Sequence, residues 1–226
     1  EEEVFSMMKD LVLITRNAIK NGLKGTEYND RILKQQSHLI GLKEEAGGIP
    51  VSSMSRTIAY TSSIMEVKSA MGIIIAAPTA GSCGVLGGAI YGYLQDLDAD
   101  TDLLTRAFLA AGLIGVFIAS EYTFAAEEGG CQVECGAASG MAAAGLVEIM
   151  GGDYKQATSA ASMALQNMMG LICDPVADRV EVPCLGKNIL GATNAQNSAI
   201  MSMAGYDDVI PLDQVIETMK KVGSEM

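Results

Sequence analysis

The stretch Glu127–Gly152, EEGGCQVECGAASGMAAAGLVEIMGG, indicates how this chain folds. After the two glycines that precede Cys131, it consists largely of Ala, Gly and Met, and Gly151-Gly152 ends it. Small residues and Met allow helices to pack closely against one another. Neither this stretch nor the rest of the chain has the alternation of apolar and polar residues that marks a half-buried strand. We therefore predict an all-α protein, a compact domain of several helices.

Helical periodicity and capping residues place further helices on both sides of this stretch. Apolar residues recur at helical spacing from Val4 to Leu23, and Gly25 ends that helix. Asp153 and Gln156 have the spacing of a capping box, and Gly170 is placed to close the helix that they begin. The other predicted helices run from Ser52 or Ser53 to about Ala76, from Val85 to about Leu94, from about Leu103 to Ser120, and from about Leu212 to Val222.

Length and charge limit the possible classes of protein. With 226 residues the chain can bury a core without disulfides, and we predict one helical domain over residues 1–226. A net charge of −12 argues against nucleic-acid binding, which needs a basic surface. No basic, apolar leader opens the sequence, so we expect a cytoplasmic protein, and the absence of a start Met suggests a piece of a longer chain.

A membrane protein is the alternative that the hydropathy raises. No charged residue lies between Lys68 and Asp96, which is long enough for a membrane span. However, Pro78–Ser82 interrupts that stretch, and no cluster of Lys or Arg flanks it. The next apolar stretch, Ala107–Ala119, is too short. We therefore predict no membrane span.

Five cysteines in an apparently cytosolic chain favour a metal or redox role over disulfides. Cys131, Cys173 and Cys184 each lie beside Gly or Pro, in what we predict to be loops between helices. Their wide spacing excludes the compact ferredoxin pattern, and no pair of CxxC motifs suggests zinc. Three thiolates held by a helical scaffold suit an iron–sulfur cluster. On spacing alone, buried cysteines that serve only as small apolar residues remain an equal alternative.

Three thiolates would leave one iron of a four-iron cluster without a protein ligand. Such an iron is a Lewis acid that can bind a substrate carboxylate and hydroxyl. Elimination of a poor leaving group such as hydroxide needs this activation, together with a base that removes the α-proton.

Three segments of the sequence resemble the iron–sulfur L-serine dehydratase alpha chain. They are the stretch that opens this section, GLICDPVADRVEVPCLGKNILGATNA at 170–195, and APTAGSCG at 77–84. The resemblance extends from about Met71 to the end of the chain, with loosely similar helices before it. It implies a 4Fe-4S cluster with Cys131, Cys173 and Cys184 as ligands, and a role in amino-acid degradation and gluconeogenesis. Cys83 and Cys135 depart from the family pattern, and we expect them to be packing residues, with a place on the fourth iron in a resting state as the alternative.

The Gly-rich turn Pro78–Gly84 precedes a predicted helix, where backbone N–H groups and the helix dipole favour an anion. The resemblance implies that Thr79, Gly81 or Ser82 contacts the substrate carboxylate, although an ordinary turn capped by Ser82 fits the same residues. Asn188 and Asn194 are candidates for substrate or cluster contacts, with backbone capping as the alternative. Glu127 and Glu128 fit a solvated face, whereas Glu134 lies between two cysteines and is a candidate for burial.

The catalytic base is not identified from the sequence. His38 is the only histidine, and it matches no motif of the family. In the family a separate domain or subunit carries a Ser-rich motif that ends in His, and alpha chains continue into a Gly-rich tail; neither is found here. The resemblance therefore implies a beta subunit that completes the site for L-serine, and we expect an oligomer. The rival interpretations are a lyase for L-threonine or L-cysteine, and a non-catalytic iron–sulfur scaffold or sensor.

Overall fold

A computed structural model describes residues 1–226, and helices account for its architecture. In chain order the helices are α1 (Glu2–Lys24), α2 (Ser37–Glu45), α3 (Ser53–Ser69), α4 (Cys83–Leu94), α5 (Thr101–Glu121), α6 (Ala126–Cys131), α7 (Ala137–Ile149), α8 (Tyr154–Asn167), α9 (Glu181–Met203) and α10 (Leu212–Gly223). A short π-helix, Gln132–Gly136, joins α6 to α7. The single β-bridge, between Val176 and Arg179, belongs to no strand. The prediction of an all-α fold is confirmed.

Helix α7 lies at the centre of the core. Every residue from Ala137 to Val147 is buried, and the helix packs against α4, α5, α8 and α9. Ala and Gly make this possible because they let four neighbouring backbones approach one helix. A Cβ atom at Gly145, for example, would lie 2.8 Å from the carbonyl oxygen of Ala107 on α5. The small-residue stretch of the sequence is thus the axis around which the other helices pack.

Helices α3 and α4 approach each other closely along a line of threonines and glycines. A Cβ atom at Gly88 would lie 1.9 Å from Thr61 Oγ1, and one at Gly92 would lie 2.1 Å from Thr57 Oγ1. The buried Gln196 of α9 donates hydrogen bonds to Thr57 Oγ1 and to the carbonyl oxygen of Ala89. This amide therefore ties α9 to both helices.

Helix α2 was not predicted, because the residue that caps it is distant in the sequence. The buried Glu66 of α3 accepts hydrogen bonds from the N–H groups of Gln36 and Ser37 and from the Ser37 hydroxyl. These are N–H groups that the first turn of a helix leaves without an intrahelical partner. A carboxylate at this end of a helix is also favoured by the helix dipole.

The predicted end of the third helix is wrong. Ser52 caps α3 as expected, but the helix ends at Ser69 rather than near Ala76. Met71 adopts a left-handed conformation with φ of 59°, and the chain then runs without regular structure to the turn. The run Ile73–Ile75 is β-branched, and such side chains lose rotamer freedom in a helix.

The prediction that all three candidate cysteines lie in loops is wrong for two of them. Cys131 ends α6, and Cys184 lies in the first turn of α9. Only Cys173 lies in a loop, between α8 and α9. Proline at 183 suggested a loop, but Pro is tolerated in the first turn of a helix, where the missing N–H has no intrahelical acceptor to lose.

The uncharged stretch between Lys68 and Asp96 does not form one long helix. It divides into an irregular segment, the turn Pro78–Ser82 and the short, largely buried helix α4. The prediction that the apolar stretch Ala107–Ala119 is too short for a membrane span is wrong in its bounds, because this stretch lies in α5. Helix α5 is long and apolar enough to cross a membrane, and 44% of its most apolar window is buried inside the protein. A core helix of a globular protein passes the same test.

We expect Gly88→Ala to destabilise the fold by about 1–3 kcal/mol, because the added methyl group would overlap Thr61 between α3 and α4. Urea unfolding followed by circular dichroism measures the change. Gly112→Ala on α5 is the matched control: the nearest atom to its Cβ is Met8 Cε at 3.8 Å, so this change should stabilise by about 0.5–1 kcal/mol through helix propensity. Equal effects of the two substitutions would contradict the close approach.

Candidate metal centre and substrate site

The three candidate cysteines lie within electrostatic reach of one another. Cys131 and Cys184 are buried, whereas Cys173 is exposed. Burial raises the pKa of Cys184 to about 11, and the charges of Cys131 and Cys173 add to that shift. Burial likewise raises the pKa of Cys173, with a further contribution from Cys131. The fold thus brings together three thiols that are far apart in the sequence.

The three thiols do not converge on a site for a single metal ion. No group of three His, Cys, Asp or Glu side chains is arranged to hold a single metal ion. A four-iron cluster makes a different demand, because each thiolate binds a different iron at the cluster's edge. Thiolates are the ligands that such clusters take, so the chemistry of this donor set fits the group.

Cys135 lies on the π-helix, and its side chain is fully buried beside Cys131. A hydrogen bond from the Cys135 thiol lowers the pKa of Cys131 to about 7 and raises that of Cys135. Cys83 lies at the start of α4, with its sulfur 3.7 Å from that of Met65. Burial raises its pKa to about 12, and the charges of Cys184 and Glu134 add to that shift. Cys135 therefore supports Cys131 directly, while Cys83 packs between α3 and α4.

Lys187 connects the loop of Cys173 to helix α9. Its ammonium group donates a hydrogen bond of 2.7 Å to the carbonyl oxygen of Ile172 and forms an ion pair with Asp174. It also favours the thiolate form of Cys131 through its charge. Lys187 follows Cys184 by one helical turn on α9, a helix that was not predicted from the sequence, and Lys187 was therefore missed as a residue of the site.

Gln132 holds the same loop from the other side. Its buried side chain accepts a hydrogen bond from the N–H of Gly170 and donates one to the carbonyl oxygen of Met219 on α10. The N–H of Gln132 itself donates to the carbonyl oxygen of Leu171. The residue next to Cys131 thus fixes the chain just before Cys173.

The Gly-rich turn lies beside the cysteines because Asn188 binds it. Asn188 is fully buried; its amide donates to the carbonyl oxygens of Gly81 and Cys184, at 2.7 and 2.8 Å, and accepts from the N–H of Gly84. The same amide nitrogen lies 3.7 Å from the sulfur of Cys135. Of the two predicted asparagines, this one joins the turn to the cysteine region.

Glu134 reaches from the π-helix into the turn. Its carboxylate accepts a hydrogen bond of 2.5 Å from the hydroxyl of Thr79, which also lies 3.2 Å from the Ser82 hydroxyl. Its side chain is half-buried, whereas Glu127 and Glu128 are exposed. The sequence placed Glu134 between two cysteines but did not place it against the turn, because that contact depends on the π-helix.

Asn194 and His38 lie outside this arrangement. Asn194 donates to the Ser139 hydroxyl and to the carbonyl oxygen of Ala164, and accepts from Asn167, so its amide joins α7, α8 and α9. His38 lines a cavity of about 340 Å³ with residues of α2 and α3 and no cysteine. Two other cavities, of about 780 and 540 Å³, border α1 and α10 and likewise contain no cysteine.

Comparison with known proteins gives the family. The family model described as "Serine dehydratase alpha chain" matches residues 1–226. The chain belongs to the serine dehydratase alpha chain family. A probable L-serine dehydratase alpha chain of Bacillus subtilis is 37% identical over 231 residues, which cover 100% of this chain and 76% of that protein. One from Latilactobacillus sakei is 45% identical over 161 residues, or 71% of this chain and 77% of the relative.

Other members of the serine dehydratase family are longer. An alignment with L-serine dehydratase 1 of Escherichia coli has 37% identity and covers 74% of this chain but only 37% of that enzyme. The alpha chain of Peptoniphilus asaccharolyticus is 42% identical, with 59% of its length covered. The chain therefore spans between about a third and three quarters of the relatives it matches.

We expect Lys187→Met to loosen the loop of Cys173, because the substitution removes the ion pair with Asp174 and the hydrogen bond to Ile172. Hydrogen exchange of the peptide 171–180 should then accelerate by about tenfold, since each lost charged bond contributes about 1.5 kcal/mol. Lys221→Met, which removes an exposed ion pair with Glu217, is the control and should leave that peptide unchanged. Unchanged exchange in both variants would show that Lys187 does not hold the loop.

The exposed Cys173 should react with iodoacetamide only as the pH rises. Its pKa is raised above the usual 9.0, so at pH 7 most of the thiol is protonated and unreactive. In the metal-free chain we expect the alkylation rate at Cys173 to rise about tenfold between pH 7 and 8, and to continue rising to pH 9 without a plateau. Peptide mapping by mass spectrometry distinguishes it from buried Cys83, which should stay unmodified. A plateau near pH 8 would indicate a lowered pKa instead.

Proposed function

We propose that this chain is the alpha part of an iron–sulfur L-serine dehydratase, which converts L-serine to pyruvate and ammonia. The observation that carries the proposal is the neighbourhood of Cys131, Cys173 and Cys184 beside a polar turn, in a chain whose relatives are named L-serine dehydratases. Net loss of the α-proton and the β-hydroxyl from serine yields 2-aminoacrylate, which tautomerises and hydrolyses to the two products.

Cys131, Cys173 and Cys184 would hold the cluster in this proposal. When bound, a 4Fe-4S cluster with three thiolate ligands supplies a Lewis-acidic iron with an open position. The three thiols differ in pKa. The Cys135 thiol and Lys187 favour the thiolate of Cys131, whereas burial keeps Cys184 protonated at neutral pH. Loading must therefore release protons from Cys173 and Cys184, which is usual for thiolate ligands.

The turn is our candidate for the substrate contacts. Thr79 and Ser82 offer hydroxyl groups, and the N–H of Gly81 makes no hydrogen bond within the chain. Asn188 positions this turn through Gly81 and Gly84. We assign Asn188 to positioning the turn and Asn194 to supporting the helices behind it, because the amide groups of both are already engaged by the protein.

The base that removes the α-proton is expected from a beta partner. The name "alpha chain" of several relatives implies a second component in those enzymes. In this chain His38 lies with residues of α2 and α3, in a cavity that no cysteine borders. We accordingly propose an oligomeric, cytoplasmic enzyme whose site is completed across an interface.

Iron and acid-labile sulfide, measured after anaerobic reconstitution, test the cluster. Mössbauer spectra before and after addition of L-serine test whether one iron meets the substrate. Four irons with one perturbed by serine support the lyase, and pyruvate formation with the beta partner completes the test. A cluster that ignores L-serine but responds to L-threonine or L-cysteine points to a related lyase. A cluster that responds to none of the three points to a scaffold or sensor.

We expect Cys131→Ser, Cys173→Ser and Cys184→Ser each to lower the iron and sulfide content at least tenfold, because serine is a poor ligand for iron of a thiolate cluster. Cys83→Ser is the matched control, since this cysteine is buried but packs against Met65. The control should retain its cluster. Loss of the cluster in the control alone, or its retention in the other three variants, would overturn the ligand assignment.

A further inference from the structure

The Glu134 carboxylate occupies the turn that the substrate is proposed to enter. The Thr79 hydroxyl holds it at 2.5 Å, and a Cβ atom at Gly81 would lie 2.3 Å from its oxygen Oε1. Any residue but glycine at 81 would therefore displace this carboxylate. The turn and the π-helix are built to place one negative charge at this point.

No cation of the protein forms an ion pair with that carboxylate. The chain forms five ion pairs, and Glu134 takes part in none of them. Lys187, which lies near the cysteines, is already paired with Asp174. A half-buried carboxylate without an ion-pair partner attracts a cationic group of a ligand. The remaining acceptor positions of the carboxylate are available to such a ligand, since one carboxylate can accept about four hydrogen bonds.

The carboxylate also lies in the field of the cysteines. Burial raises the pKa values of Cys173 and Cys184, and the charge of Glu134 contributes to both shifts. A substrate bound among these thiols is therefore within reach of Glu134. Free L-serine carries one carboxylate, one hydroxyl and one ammonium group. Of these, the carboxylate is repelled by Glu134 and the ammonium is attracted.

We propose that Glu134, held by Thr79 and Gly81, binds the α-ammonium group of the amino-acid substrate and so selects amino acids over hydroxy acids that lack the amine. This inference rests on the proposed function. It leaves the substrate carboxylate, which is on the same α-carbon as the ammonium group, for the N–H of Gly81. Glu134 is then a specificity-determining residue that binds the amine while the partner's base takes the proton.

The test compares two ligands that differ in the amine: L-serine and 3-hydroxypropionate. In the full chain, anaerobically loaded and assembled with its beta partner, each ligand is titrated against the visible and Mössbauer spectra of the cluster. We expect Glu134→Gln to raise the apparent Kd for L-serine about 10- to 100-fold, the range for a lost charged hydrogen bond. Binding of 3-hydroxypropionate should stay the same or tighten, because the repelling charge is gone.

Two further variants separate recognition from folding. Glu134→Asp keeps the charge, but the shorter side chain moves the carboxylate away from the turn. This variant should therefore bind L-serine with an intermediate Kd. Glu128→Gln, which makes the same charge change at an exposed position on α6, should change neither ligand. Iron and sulfide content shows whether each variant carries its cluster.

Three outcomes would overturn the inference. Equal weakening of both ligands in Glu134→Gln would assign Glu134 to cluster support. A lower kcat with unchanged KM for L-serine would assign it to proton transfer. Equal apparent Kd values for 3-hydroxypropionate and L-serine in the wild-type protein would exclude amine recognition. If instead the wild-type protein forms a cluster that responds to neither ligand, the proposed function itself fails, and this inference falls with it.

Discussion

The side-chain amide of Asn188 joins the elements that carry the candidate chemistry. Its nitrogen donates to Gly81 in the turn and to Cys184 in its own helix, and its oxygen accepts from Gly84 at the start of α4. All of these groups are buried or nearly so, and a buried polar group left without a partner costs about 1–3 kcal/mol. The turn therefore cannot move from α9 without breaking several such bonds at once. The hydrogen bonds of Asn188 fix the position of the turn relative to α9, and the polar contacts of the site depend on that position.

The position of the turn relative to α9 depends in turn on how closely the helices pack. Tyr91 is the only aromatic side chain among the largest fully buried residues, and most of the buried residues of α7 are Ala and Gly. Small side chains bring backbones near each other, so the polar groups of neighbouring helices come within hydrogen-bonding distance. Gln196 reaches both α3 and α4 for this reason, and Asn194 reaches α7 and α8. The Gly- and Ala-rich composition thus serves the polar network as much as the core.

The fold class could be predicted from the sequence for two reasons. The Ala-, Gly- and Met-rich stretch of α7 suits a helix that packs on every side, and no segment has the alternation of apolar and polar residues that marks a strand. The cysteine ligands could be proposed because the segments around them resemble a family. The helical setting of Cys184 could not, since Pro183 reads equally as a loop or as the first turn of a helix. The contact of Glu134 with the turn was also not predicted, because it depends on the π-helix. A π-helix has one extra residue per turn, and this leaves no sequence pattern of its own.

The charges of the site indicate how it treats a zwitterionic ligand. Glu134 and Asp174 are its carboxylates, the thiol of Cys131 has a lowered pKa, and Lys187 is engaged by Asp174. Lys68 is the other cation whose charge reaches the thiols, at Cys83 and Cys184. A ligand carboxylate would enter such a field only with compensation from the iron or from backbone N–H groups. The ammonium group needs no such help, because the uncompensated carboxylate of Glu134 already faces the turn. Under the proposed function, we therefore expect the substrate to enter with its ammonium group toward Thr79 and Glu134.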